Sequence, residues 1–226
     1  MDLPLASHPI VETRDPDHAQ SILSREMCSL RFKRVDHPER FRLTMNGVRL
    51  GKTMIGYNRF GTETVVDAGV IEDALIFTTC IGNPTIPIID GEPISPNRAG
   101  ITSPGHHQLI HRGADSGILI LRTSIGQVKE RFEELTGKKF DGPVKFDTSV
   151  ELASGIGAHV ASVLRFAMSK CAEKPSLLDH PLLRSSLDEM LLSALMSLPS
   201  QVNEAFSTAA VATAGPKLVD RAEAYM

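Results

Sequence analysis

The chain has 226 residues, 42% of them hydrophobic, and its 24 basic against 27 acidic side chains leave a formal charge of −3. That is enough apolar material for the core of one large or two small domains, and the basic residues are scattered, so the segment has no electrostatic footprint for nucleic acid. Three widely spaced cysteines (Cys28, Cys80, Cys171) without a Cys-x-x-Cys, no basic-then-apolar leader in MDLPLASHPIVETRDPD and no run of membrane-spanning length exclude a disulfide framework and a zinc knuckle, and lead us to expect a cytoplasmic protein.

Residues 27–123 read as strands and turns, with short β-branched and apolar runs punctuated by Gly, Pro, Asn-Gly and Asp-Gly. Arg40–Met45 alternates before Asn46-Gly47, and Thr85–Ile89 runs into Asp90-Gly91; both dipeptides suit two-residue hairpin turns, which need positive φ. Further strands are predicted at Lys52–Phe60, Thr64–Ala68, Leu75–Ile81, His107–Arg112 and Gly117–Thr123. About eight short strands at this spacing indicate a sandwich or small barrel.

The period changes after Ser124. Ser124 and Gln127 form a capping-box pattern, Val128, Phe132 and Leu135 share a helical face, and Gly137 supplies the stop. Beyond the linker GKKFDGPVKFDTS come two amphipathic helices with matching offsets, one carrying Val160 and Leu164, the other Leu187 and Leu191. Pro175 and Pro181 between them predict a helical hairpin, whose wide stripes suit either an intramolecular core or a homodimer interface. The last stretch, GPKLVDRAEAYM, reads as a Pro-initiated amphipathic helix with its apolar stripe still running at Met226.

The order and spacing of "ETRDPDHAQSIL", "GYNRFGTETVV", "AGITSPG", "LILRTSIGQVKERFEELTGKKFDGPVKFD", "LDEMLLSALM" and "KLVDRAEAYM" resemble the N-terminal regulatory domain of AraC/XylS-family transcriptional regulators. The resemblance implies an α+β architecture: a cupin-like, jelly-roll-type β-barrel over residues 1–123 for an effector, a helical segment with a dimerising hairpin over 124–214, and over 215–226 the start of a linker helix to a helix-turn-helix domain beyond this chain. It implies a non-enzymatic sensor that requires no cofactor, forms a homodimer and reaches promoter DNA only through that further domain. On this view Val160, Leu164, Leu187 and Leu191 carry dimerisation.

Cupin-like barrels also include metal-dependent enzymes, which resemble one another in a His-x-His pair with a later Glu and His. In GHHQLIH, His106 and His107 point to opposite faces of a regular strand, and His107 and His111 share a face about 13 Å apart, too far for one ion without a bulge. For an effector, two groups stand out. Tyr57 and Arg59, with His107 and His111, could line the barrel interior, where an inward Arg59 would favour an acidic ligand. Alternatively LRFKR and MNGVRLG are similar to the PilZ pattern for cyclic di-GMP, with Arg31, Arg34, Asn46 and Gly51 in the motif positions. Here Val48 replaces the motif Ser, the arginines are one residue too close, and on a regular strand they point to opposite sides, so joint binding needs a bend.

Overall fold

The computed structural model describes residues 3–82, 85–173 and 177–208; Pro175 and the helix predicted at 215–226 lie outside them. The chain opens with strand β1 (Pro9–Thr13) and helix α1 (Pro16–Glu26). Asp15 starts α1 by accepting the amides of Asp17 and His18, with Pro16 in the first turn where its missing N–H costs nothing. Strands β2 (Arg31–Val35), β3 (Leu43–Arg49), β4 (Thr53–Phe60), β5 (Thr64–Val70), β6 (Leu75–Ile81), β7 (Thr85–Ile89), β8 (Glu92–Pro93), β9 (Arg98–Thr102), β10 (His107–Arg112) and β11 (Gly117–Thr123) follow. After α2 (Ile125–Thr136) come β12 (Ser149–Glu151), α3 (Gly155–Ala172), α4 (Pro181–Met196) and a helical stretch at 201–208.

Two antiparallel sheets face each other. One has seven strands in the order β1-β3-β4-β11-β6-β9-β12, the other five in the order β2-β5-β10-β7-β8. The seven-stranded sheet is covered on both sides. Leu43, Met45, Met54, Phe60, Ile76, Ile118 and Ile120 point between the sheets and meet α1 through Ala19, Leu23 and Met27. Ile55, Tyr57, Phe77, Leu119 and Leu121 point the other way, against Val128 and Phe132 of α2 and the α3–α4 pair. Each large apolar side chain so buried contributes about 1.5–3 kcal/mol, and together they fasten the helices to the barrel.

The turn chemistry divides. Asp90 and Gly91 take φ of 51° and 85° between β7 and β8, as a two-residue hairpin requires. Asn46-Gly47 forms no turn: both lie inside β3, opposite Tyr57 and Gly56. Gly47 sits there because β1 crosses closely, its amide bonding the His8 carbonyl, and a Cβ would fall 2.8 Å from Ile10. The hairpin bend is five residues later, at Gly51-Lys52, closed by the Leu50 amide on the Thr53 carbonyl. Ser124 caps α2 through the Gln127 amide, and Gly137 ends it at φ 67°, as the sequence predicts.

The helical hairpin is present, and its apolar stripes are used within the chain. Val160, Leu164 and Leu191 are fully buried and Leu187 is 5% exposed. That corrects the assignment of these four residues to a dimer interface, because they already pack against α2 and the back of the sheet. The large apolar side chains this helix pair leaves exposed are Phe166, Leu182 and Leu183.

Candidate functional site

Strand β10 decides what lines the barrel. Its alternate residues Gln108, Ile110 and Arg112 face the space between the sheets, while His107 and His111 are exposed on the outside. Strand β4 likewise turns Asn58 and Phe60 inward. Tyr57 lies in the opposite, helix-facing core, and the half-exposed Arg59 pairs with Asp115 at 2.6 Å. The interior placement expected of Tyr57, Arg59, His107 and His111 is therefore corrected by one residue of register on both strands.

The inward arginine is Arg112. Its Nη1 donates to Asn58 Oδ1 at 2.6 Å, and its Nη2 donates to the carbonyls of Asn58 and Ser116 at 3.2 and 3.1 Å. The guanidinium carbon lies 4.5 Å from the centre of the Phe60 ring, an attractive cation–π placement. No carboxylate is among these partners, and Nε has none. Burial pushes the group down to about 9, so it remains a cation at neutral pH. In register beside it on β5 and β7 lie Thr64 and Thr85. Both are buried; among the described residues the hydroxyls of Thr64 and of buried Ser116 are without partners, while that of Thr85 faces the Cys80 thiol. Unpaired buried polar groups of this kind are costly.

Arg112 borders a cavity of about 50 Å³ whose other walls include Phe60, Val66, Ile76, Ile118 and Ile120, with Asn58, Thr78 and Gln108 as polar positions. Leu23 of α1, then Met27, Cys28 and Leu30 just beyond it, close one side. This cover is tied down: Arg122 Nε donates to the Met27 carbonyl at 2.7 Å, the Phe32 amide to Gln20 at 2.8 Å, and Ser24 Oγ bonds both the amide and carbonyl of Leu30. Met27, Cys28 and Ala68 also border an open groove outside the barrel. A thin wall separates the interior from solvent there.

The outer face of the five-stranded sheet carries charge. The pairing of β2 with β5 slips at Lys33, setting Arg31 opposite Asp67 and Arg34 opposite Val65. Asp67 and Val65 share a face, so this bulge brings both arginines outward, as the PilZ-like reading requires. Buried Asp67 receives Arg31 at 3.1 Å, Lys33 at 3.0 Å and His107 at 3.3 Å, while Arg34 pairs with Asp36. Burial alone would raise the Asp67 carboxyl, but the Gly69 amide, Lys33 and Arg31 outweigh it and hold it at about 2. The second half of that motif is elsewhere. Asn46 points toward the helical side and donates to the Pro4 carbonyl, and Gly51 abuts Asp188 of α4. The structure thus joins Arg31 with Arg34 and separates both from Asn46 and Gly51.

One buried carboxylate links barrel to hairpin. Asp188 accepts the Lys52 amide at 2.7 Å, the Thr53 amide at 2.8 Å and the Thr53 hydroxyl at 2.6 Å. Arg184, one turn earlier, donates to the carbonyls of Leu50 and Arg49. Helix α4 thus grips the β3–β4 turn with a carboxylate on its amides and a guanidinium on its carbonyls.

Two antiparallel sheets packed face to face over a mainly apolar interior and backed by a helical hairpin define a cupin-like α+β domain. Among the described residues no three His, Cys, Asp or Glu side chains gather as a metal ion would need. The model of the AraC-binding-like domain matches residues 19–196, and the chain belongs to that family. Its fold is similar to the AraC-like transcriptional activator CuxR, with a TM-score of 0.54 at 9% identity over 82% of this chain and 69% of that one. Slighter likenesses extend to a protein described as a predicted oxalate decarboxylase from Thermotoga maritima (TM-score 0.32, 12% identity, 37% of this chain, 82% of that one). Another is the cupin domain of Schizosaccharomyces pombe Cnp3 (0.32, 8%, 43% and 73%). No curated protein matches.

Proposed function

We propose that this chain is the sensor and dimerisation module of an AraC-type transcriptional regulator and is not an enzyme. A small-molecule effector occupies the space between the sheets and shifts the balance between two arrangements of the helical hairpin. Dimer state follows, and with it promoter binding by a helix-turn-helix domain carried elsewhere in the full-length protein. The observation that supports this reading is the cavity between the sheets at Arg112, lined also by β4, whose turn from β3 is held by Asp188 of α4. A ligand can drive such a switch only through different affinities for the two arrangements. Because Val160, Leu164, Leu187 and Leu191 are spent on the core, the dimer uses Phe166, Leu182 and Leu183. Analytical ultracentrifugation of the wild type and Phe166→Glu, run beside a thermal-shift screen of metabolites, tests both halves. A monomeric variant with an unchanged melting temperature is expected, and an unaltered dimer refutes the interface.

A second reading is supported by the bulge at Lys33, which puts Arg31 and Arg34 on the same, outer face of the sheet, opposite Asp67 and Val65. There two guanidiniums could fork onto the phosphates of cyclic di-GMP. Calorimetry with cyclic di-GMP decides: binding abolished by Arg31→Ala and Arg34→Ala supports this second site, and no heat with the wild type dismisses it.

A further inference from the structure

We infer that the barrel interior binds a short-chain monocarboxylate, its carboxylate on Arg112 and its alkyl end among Ile76, Ile118 and Ile120. This rests on the reading of the domain as an effector binder and adds the chemistry of the ligand. Among the described residues three polar groups at the Arg112 end of the barrel have capacity to spare, Arg112 Nε and the hydroxyls of Thr64, in register beside it, and Ser116, whose carbonyl it bonds; of the three residues Arg112 lines the cavity itself. All three residues are more than nine-tenths buried. Arg112 has only neutral oxygens for partners. A cation in such surroundings lacks a counter-charge, and a carboxylate accepting from a guanidinium edge and neighbouring hydroxyls would supply both charge and acceptors. Beyond that end the walls are mainly apolar, and Arg112 is the one charged side chain among those lining the cavity. A second carboxylate would be buried unpaired, which selects monoacids over diacids.

Size narrows the class. A cavity that accommodates benzene measures about 150 Å³, three times the 50 Å³ here. By that ratio the space as it stands takes little more than the carboxylate itself, and an alkyl chain needs Met27 and Cys28 to yield toward the outer groove.

The test uses the purified chain and sodium salts of acetate, propionate and butyrate, with matched acetamide, propionamide and butyramide, and chloride and nitrate at equal ionic strength. Thermal shift and calorimetry should show a melting temperature raised by about 5 °C at saturation with at least one acid. The amides and inorganic anions should leave it unmoved, and Arg112→Met should abolish the response. Should Arg112→Met fail to fold, Thr64→Val and Ser116→Ala, which keep the charge and remove hydroxyl donors, should each weaken binding about tenfold. Equal responses to amides or to chloride, persistence of binding in Arg112→Met, or no response to any of the acids overturns the inference. A wider metabolite screen separates the two levels. Stabilisation by a neutral compound leaves the effector-binding reading standing without the carboxylate, and stabilisation by nothing removes both.

Discussion

Replacing Asp188 tests how the helical hairpin is attached to the barrel. Its Oδ1 accepts from the Thr53 amide and hydroxyl, and its Oδ2 from the Lys52 amide. Thr53 is 2% exposed, so in Asp188→Ala its amide and hydroxyl lose a charged acceptor with no water to replace it, at about 1–3 kcal/mol for each orphaned group. The Lys52 amide can turn to solvent. The expected loss is about 3–5 kcal/mol, or on the order of 10 °C in melting temperature for a domain of this size. Asp188→Asn should cost less, about 1–2 kcal/mol, because Oδ1 survives while Nδ2 faces the Lys52 donor. Gly51→Ala should reproduce part of the defect from the other side, since a Cβ there falls 2.6 Å from Asp188 Oδ2. Urea unfolding followed by circular dichroism measures all three. A loss below about 1 kcal/mol for Asp188→Ala, or an Asn variant worse than Ala, would refute the clasp.

Leu191→Arg should abolish folding, or cost more than about 4 kcal/mol, without giving a soluble monomer, because Leu191 is fully buried in the chain's own core; a folded monomer by light scattering would contradict this. Asp67, held at about 2 in the folded chain, binds protons more weakly there than when unfolded. It therefore contributes roughly 2 kcal/mol that is fully present above about pH 4 and lost as pH falls toward 2. Asp67→Asn should flatten that part of the acid limb in pH-dependent urea titrations, and an identical limb would count against the assignment. Asn58→Asp places a carboxylate where Arg112 Nη1 now finds a neutral oxygen at 2.6 Å, so it should fill the anion site from within and eliminate any carboxylate response in calorimetry. Retained binding would put the ligand elsewhere.

The strand and helix positions were largely readable because β6, β7, β10 and β11 are bounded by turns whose chemistry is local, and Ser124 and Gly137 cap α2 as their residue types dictate. Which faces line the barrel was not. Along β4 every residue but Arg59 is buried, since one face meets the opposing sheet and the other the helices. This double covering erases the period-two pattern on which an inside-or-outside assignment depends. In HQLIHR of β10 the buried polar residues are Gln108 and Arg112, while the histidines face out. Arginine is the side chain least expected inside, so hydropathy favoured the wrong face. The inward arginine is Arg112, while Arg59 pairs with Asp115 outside. The Lys33 bulge had no readable signal, because the slip is set by how β2 meets β5 rather than by β2 itself. Asn46-Gly47 misled because Gly serves close approach as well as turning, and here β1 supplied the crowding.

Strand β4 makes communication between the two halves physically plausible without any long relay. Asn58, five residues from Thr53, gives Arg112 two of its acceptors, and Thr53 is the residue α4 holds through Asp188. Met54 and Phe60 pack between the sheets while Ile55 and Tyr57 pack toward the helices, so a shift of this strand is felt on both sides at once. The interior is close-packed and repacks rather than stretching. An anion that draws Arg112 away from Asn58 would thus favour whichever β4 position best fits the released amide, and α4 would follow its turn. The switching power is bounded by the ligand's preference between the two positions: moving a 1:99 equilibrium to 99:1 demands about 5.5 kcal/mol of differential binding. A charge-neutralising contact at a buried guanidinium is among the few interactions in so small a site strong enough to supply most of it.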